Sequence, residues 1–121
     1  MTNKRILIAE DEKPMAKALE VKLKKEGFEA VSVFNGQEAV KQLTAGNYDL
    51  LLLDILMPVM DGFTVLEQIK TLARKPKIVI TSNLSQDEDI KRAKDLGAID
   101  FMVKSDSTLS QIVDKVKTLL A

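Results

Sequence analysis

The stretch Leu50-Leu51-Leu52-Leu53-Asp54-Ile55-Leu56-Met57-Pro58-Val59-Met60-Asp61-Gly62 decides how the chain is read. Four leucines in a row, broken off by an acid and then by a proline-containing turn, suit a strand covered on both faces. A strand buried on both faces belongs to a parallel sheet sandwiched between helices. The reading therefore turns on whether the rest of the chain alternates short apolar runs with helical periods.

It does so on either side. Upstream, Ile6-Leu7-Ile8-Ala9 is a short apolar run. A helical period with Met15, Leu19 and Leu23 on one face follows, with Lys17, Lys24 and Lys25 facing out. Pro14 suits the first turn of that helix and Gly27 the position just past its end. Residues 30–34 are β-prone but less apolar, as an edge strand would be. Asn35 and Glu38 have the spacing of a capping box, opening a helix that carries Ala39, Val40 and Leu43 and stops near Gly46. Downstream, Val65, Leu66 and Ile69 mark a third helix, and Ile78-Val79-Ile80 a fourth strand. Ser85 and Glu88 predict a second capping box, before a helix with Ile90, Ala93 and Leu96 ended by Gly97. Phe101-Met102-Val103 is a fifth strand, and Leu109, Ile112, Val113, Val116 and Leu120 form the apolar face of a last helix. The sum is an α/β chain of five strand–helix units, a doubly wound (βα)₅ sheet with helices on both faces.

Composition limits the chemistry. With 121 residues the chain suits one domain over residues 1–121. It has no cysteine and no histidine, so disulfides, thiolate metal sites and imidazole catalysis are all excluded. Lys+Arg and Asp+Glu both number 18, which argues against a dedicated nucleic-acid surface. The opening Met1-Thr2-Asn3-Lys4-Arg5 leads straight into a strand with no long apolar signal. No apolar run reaches the about 18 residues a membrane helix needs. A soluble cytoplasmic protein is the expectation.

Ligands of doubly wound sheets collect at the carboxyl ends of the strands, where the strand order reverses. There the first strand is followed by Glu10 and Asp11, and the third by Asp54. Three carboxylates in one pocket repel one another, and a hard divalent cation such as Mg²⁺ removes the conflict. Any one acid alone would be only a cap or a solvated loop residue. Convergence of three, with Lys104 at the end of the fifth strand and Ser82 at the end of the fourth, points to phosphate chemistry.

Together these residues resemble the receiver domain of bacterial two-component response regulators, a flavodoxin-like family. The motifs that carry the likeness are Ile8-Ala9-Glu10-Asp11-Glu12, the Asp54-x-x-Met57-Pro58-x-x-Asp61-Gly62 stretch, and Val103-Lys104. The resemblance implies a five-stranded parallel sheet in the order 2-1-3-4-5. It implies that Asp54 accepts a phosphoryl group from a histidine kinase or phosphotransfer protein. Mg²⁺ would be held by Glu10 through water, by Asp11 and Asp54 directly, and by the Leu56 carbonyl. Lys104 would pair with the phosphoryl group. Thr81 and Ser82 both offer the hydroxyl that switches toward it, and Ser82, 22 residues before Lys104, has the family's usual spacing. Phe101 takes the place of the aromatic switch residue. The surface of the fourth helix, fifth strand and fifth helix would signal to an output protein or domain, with a homodimer as one possible phosphorylated form.

Two positions depart from the family pattern. Ser105 follows Lys104, where the family usually has proline, often after a cis bond; Asn83 follows Ser82, where the family prefers a small residue. Asn83 therefore stands close enough to the expected phosphate position to narrow or gate it. Leu56 and Leu84 should flank the path of the hydrolytic water and cannot orient one, which predicts a long-lived phosphoryl-Asp54. The main alternative is a haloacid-dehalogenase-like phosphatase, but those enzymes carry a second Asp two residues after the nucleophile, where this chain has Leu56. A flavodoxin-type cofactor binder is disfavoured because Glu10-Asp11-Glu12 would repel phosphate. A binding-only pseudo-receiver is disfavoured by the intact pocket. Turnover of an external substrate is not expected.

Overall fold

The computed structural model describes residues 3–121. Met1 and Thr2, the start of the lead-in to the first strand, lie outside the described residues. The elements alternate along the chain: β1 (Arg5–Ala9), α1 (Lys13–Lys25), β2 (Glu29–Val33), α2 (Gly36–Ala45), β3 (Leu50–Leu53), α3 (Gly62–Gln68), β4 (Lys77–Ser82), α4 (Asp87–Asp95), β5 (Asp100–Val103) and α5 (Leu109–Leu120). Short 3₁₀ turns occupy Ile69–Thr71 and Lys104–Asp106. All strand pairs are parallel and the order is β2-β1-β3-β4-β5, as expected, with β2 at one edge.

The four leucines of β3 are all buried, and their side chains alternate between two cores. Leu51 and Leu53 join Leu7, Phe63, Val65, Leu66 and Ile80 on the face covered by α2, α3 and α4. Leu50 and Leu52 join Ile6, Ile8, Leu19, Leu23, Ile112 and Val116 on the face covered by α1 and α5. Alternation along a strand of one residue type thus feeds both layers at once.

Several local expectations need correction. In α1 the deeply buried residue of the first turn is Ala16, while Met15 packs only at the margin of the core. Asn35 caps α2 by accepting from the Glu38 N–H, but the Glu38 carboxylate accepts from the Asn35 side-chain amide instead of its backbone. The box predicted for Ser85 and Glu88 does not form: α4 starts later, its N-cap is Gln86, and no side chain caps it. Asp87, Glu88 and Asp89 in its first turn favour the helix dipole instead. A capping box of the expected kind opens α5, between Thr108 and Gln111. The Lys104–Ser105 bond is trans, and no cis peptide bond occurs among the described residues.

Candidate functional site

The order reverses between β1 and β3, whose registered pairs end at Ala9↔Leu53. The next residues of each strand, Glu10 and Asp54, therefore emerge side by side, and the Asp54 N–H still donates to the Ala9 carbonyl. Asp11 follows on the rim. One carboxylate oxygen from each of Glu10, Asp11 and Asp54 lies within 4.8 Å of the others. Glu10 and Asp54 are buried and Asp11 is exposed, so the cluster opens to solvent on one side.

Lys104 enters from the end of β5 and is itself largely buried at the side chain. Its Nζ donates to Asp54 Oδ2 at 2.9 Å and lies 2.6 Å from Glu10 Oε1. The second contact is a close ion pair, and Glu10 Oε1 has no partner besides Lys104 in its buried position. Glu10 Oε2 accepts from the Glu12 N–H at 3.0 Å. Asp54 Oδ1 accepts from the Leu56 N–H at 3.1 Å.

The electrostatics follow from this packing. Burial, reinforced by the Asp54 charge, pushes the Glu10 carboxyl up to about 7, against the opposing pull of Lys104 and the Glu12 N–H. Burial alone would draw Lys104 down, but its contacts with Glu10 and Asp54 outweigh that and hold the ammonium above its ordinary value. With all groups ionised, three carboxylates face one ammonium, which leaves two negative charges unbalanced. The buried carboxylates of Glu10 and Asp54, beside Asp11 on the solvent side, fit a divalent cation with oxygen preference.

The other residues singled out in the sequence sit around this pocket at varied distances. Ser82 closes β4, fully buried, paired in register with Val103 and so beside the strand that delivers Lys104. Its Oγ accepts from the Leu84 N–H at 3.3 Å. Thr81 is also buried, one residue back and paired with Met102. Asn83 is exposed and its Oδ1 accepts from the Ser105 N–H, so its side chain is turned to the loop after β5. Phe101 is half-buried against the β3–α3 core. The Leu56 side chain is 53 % exposed, whereas Leu84 is partly buried against the same core as Phe101.

Two contributors carried no role in the sequence reading. Glu12 supplies the N–H that fixes Glu10, and its own carboxylate lies 4.0 Å from Lys104. Gly62 opens α3 directly against the phosphoacceptor candidate: a Cβ there would stand 2.7 Å from the Asp54 carbonyl oxygen and from Ile55 Cα. The Asp-Gly pair at its position in the motif was the available signal for the second. Nothing short of the folded turn signals the first.

The profile of the response regulator receiver domain family matches residues 6–117. Among curated proteins, the transcriptional regulatory protein DltR of Streptococcus agalactiae serotype III is 33 % identical over 111 residues, 89 % of this chain. The match takes in 50 % of that protein, so the chain spans about half the length of the curated relatives it matches. Among solved structures, the response regulator protein TrrA of Thermotoga maritima, determined in complex with Mg²⁺-BeF, is 34 % identical. Its TM-score is 0.82, over 96 % of this chain and 98 % of that one. A two-component response regulator from Clostridium difficile superposes with a TM-score of 0.90 at 27 % identity, covering 98 % of this chain and 96 % of that one. A matched profile over nearly the whole length, the strand order and the acidic pocket beside Lys104 agree, and the chain belongs to the response regulator receiver domain family.

Proposed function

We propose that Asp54 is the phosphoacceptor of a Mg²⁺-dependent phosphoryl transfer whose donor is a phosphohistidine on a histidine kinase or phosphotransfer protein. The single observation that carries this reading is the Lys104–Asp54–Glu10 contact set at the reversal of strand order, with Asp11 at its open side. Glu10, Asp11, Asp54 and the Leu56 carbonyl would hold the ion. When bound, Mg²⁺ offsets the charge that gathers on the phosphoryl oxygens.

The chain's own residues do the rest. An Asp54 carboxylate oxygen attacks phosphorus in line, the bond from phosphorus to the donor imidazole nitrogen breaks, and an acyl phosphate forms. The Leu56 N–H keeps the carboxylate oriented. Lys104, already 2.9 Å from Asp54, neutralises an equatorial oxygen, so catalysis is mostly positioning and electrostatics. The Ser82 hydroxyl proton is free to be donated to a phosphoryl oxygen while its Oγ accepts from Leu84, and Asn83 stands next to it at the rim. Movement of the Ser82 loop with repacking of half-buried Phe101 carries the change to α4, β5 and α5. That face would then engage an output domain or partner protein in a phosphorelay, with homodimerisation as one outcome. Water later hydrolyses the acyl phosphate and restores the Asp54 carboxylate. No helix is long and apolar enough to cross a membrane among the described residues, in keeping with a cytoplasmic setting.

Intact mass after incubation with acetyl phosphate and Mg²⁺ tests the acceptor. Wild type gains one phosphate and Asp54→Asn gains none; uptake by both, or by neither, overturns the reading. Apolar Leu56 and Leu84 leave the hydrolytic water without an orienting partner, so the double variant Leu56→Asn with Leu84→Glu loses its phosphate faster than the parent. Equal rates would end that part of the proposal.

A further inference from the structure

The two positions that depart from the family pattern meet in one hydrogen bond. Asn83 Oδ1 accepts from the Ser105 N–H at 3.0 Å. The β4–β5 ladder ends at Ser82↔Val103, so this bond sits just past its last rung and is made by a side chain where main-chain pairing has stopped. The chemistry on both sides is specific. A proline at 105 would have no N–H to give, and a small apolar residue at 83 would have no acceptor.

The turn it joins is exposed at Ser105 and Asp106. Every residue of β5 is only partly buried. Across the turn Lys104–Asp106, the Ser107 N–H donates to the Lys104 carbonyl at a long 3.3 Å. Lys104 is the first residue of this turn, so the reach of its ammonium to Asp54 is set from a backbone position that moves with the turn. On the other side, Asn83 is the first residue after Ser82.

We propose that Asn83 is a positioning residue that braces the loop beginning at Ser82 against the turn carrying Lys104, through its hydrogen bond to Ser105. The brace keeps the Lys104 ammonium against Asp54 and ties the β4 and β5 rims of the pocket into one unit. Its effect on phosphorylation rests on the role proposed above for Asp54 and Lys104; the brace itself does not.

Three substitutions separate the hydrogen bond from the bulk of the side chain. Asn83→Leu keeps the size without an acceptor, Asn83→Ala loses both, and Asn83→Asp keeps an acceptor. Exchange of the Ser105 amide, followed by NMR on the unphosphorylated protein without metal, should quicken about two- to tenfold in Asn83→Ala and Asn83→Leu, the range one hydrogen bond supports. Asn83→Asp should restore the slow rate. Uptake of phosphate from acetyl phosphate with Mg²⁺ should slow by a similar factor in both the Ala and the Leu variant. Unchanged Ser105 exchange in those two variants overturns the brace. Uptake that changes in Asn83→Ala but not in Asn83→Leu assigns Asn83 a role by bulk alone and overturns the positioning claim. Should wild type take up no phosphate, the reading of Asp54 falls, while Ser105 exchange still decides on the brace.

Discussion

The centre of the sheet and its β5 edge are built differently. β1 is buried at every residue after Arg5, and β3 at all four of its leucines. β5 is partly exposed along its whole length, and neighbouring α4 buries Ala93 alone. The three acids hang from the tight centre, while Lys104 comes from the loose edge. Charge is thus collected by a rigid frame and answered by a group on the flank where structure is cheapest to rearrange. The face proposed to signal, α4, β5 and α5, is that same flank.

Removing packing should separate the two regions most clearly. Leu52→Ala in β3 should cost about 2–5 kcal/mol in urea unfolding, and half-buried Phe101→Ala in β5 roughly 1–2 kcal/mol. Equal losses would mean that the centre and the β5 edge are equally tight. Next in size is Gly62→Ala. Its methyl would press on the Asp54 carbonyl and Ile55 Cα, and should cost about 1–3 kcal/mol of stability and lower phosphate uptake as well. Full uptake in the variant would mean that α3 can shift without moving the acceptor.

Strain at the rim of the centre predicts a smaller effect of opposite sign. Val59, a β-branched residue, has φ 70° and is 75 % exposed. Val59→Asn, which tolerates that backbone better, should raise stability by about 1 kcal/mol. A loss would show that the valine side chain makes contacts worth more than the strain.

The smallest effect concerns the edge. Asp100 in β5 pairs with Lys115 in α5 at 2.7 Å. Burial would raise the Asp100 carboxyl, but Lys115, the Phe101 N–H and Lys94 together hold it below its ordinary 3.8. A carboxyl depressed by folding adds stability above 3.8 and loses it as pH falls through the folded value. Since both side chains are partly exposed, solvent screening limits the pair to about 0.5 kcal/mol. Asp100→Asn should therefore be slightly less stable than wild type at pH 7, with the gap closing in acid. A gap that persists in acid would assign the difference to packing.

Much of this was legible in the sequence because burial patterns are local. The apolar runs of β1, β3 and β4 and the helical periods of α1 and α5 fixed the layers, and acids straight after Ala9 and Leu53 fixed the pocket once those strands were neighbours. What stayed hidden depends on distances between loops. Asn83 and Ser105 were each noticed as departures, yet nothing in their spacing says that one accepts from the other. Ser85 had the spacing of a cap, but α4 begins too late to use it. Met15 and Ala16 are adjacent, and their spacing alone does not say which of the two lies deeper.

Four identical residues in β3 cannot tell the strand how far to slide. Shifted by two places, two of the four leucines would still meet the same two cores, and Asp54 would stand a full repeat away from Glu10. The stops at either end are polar: the Arg5 N–H donates to the Asp49 carboxylate and the Asp49 N–H to the Arg5 carbonyl, while the Asp54 N–H donates to Ala9. Asp49, remote from any chemistry, is in this sense the ruler against which the reactive carboxylate is set.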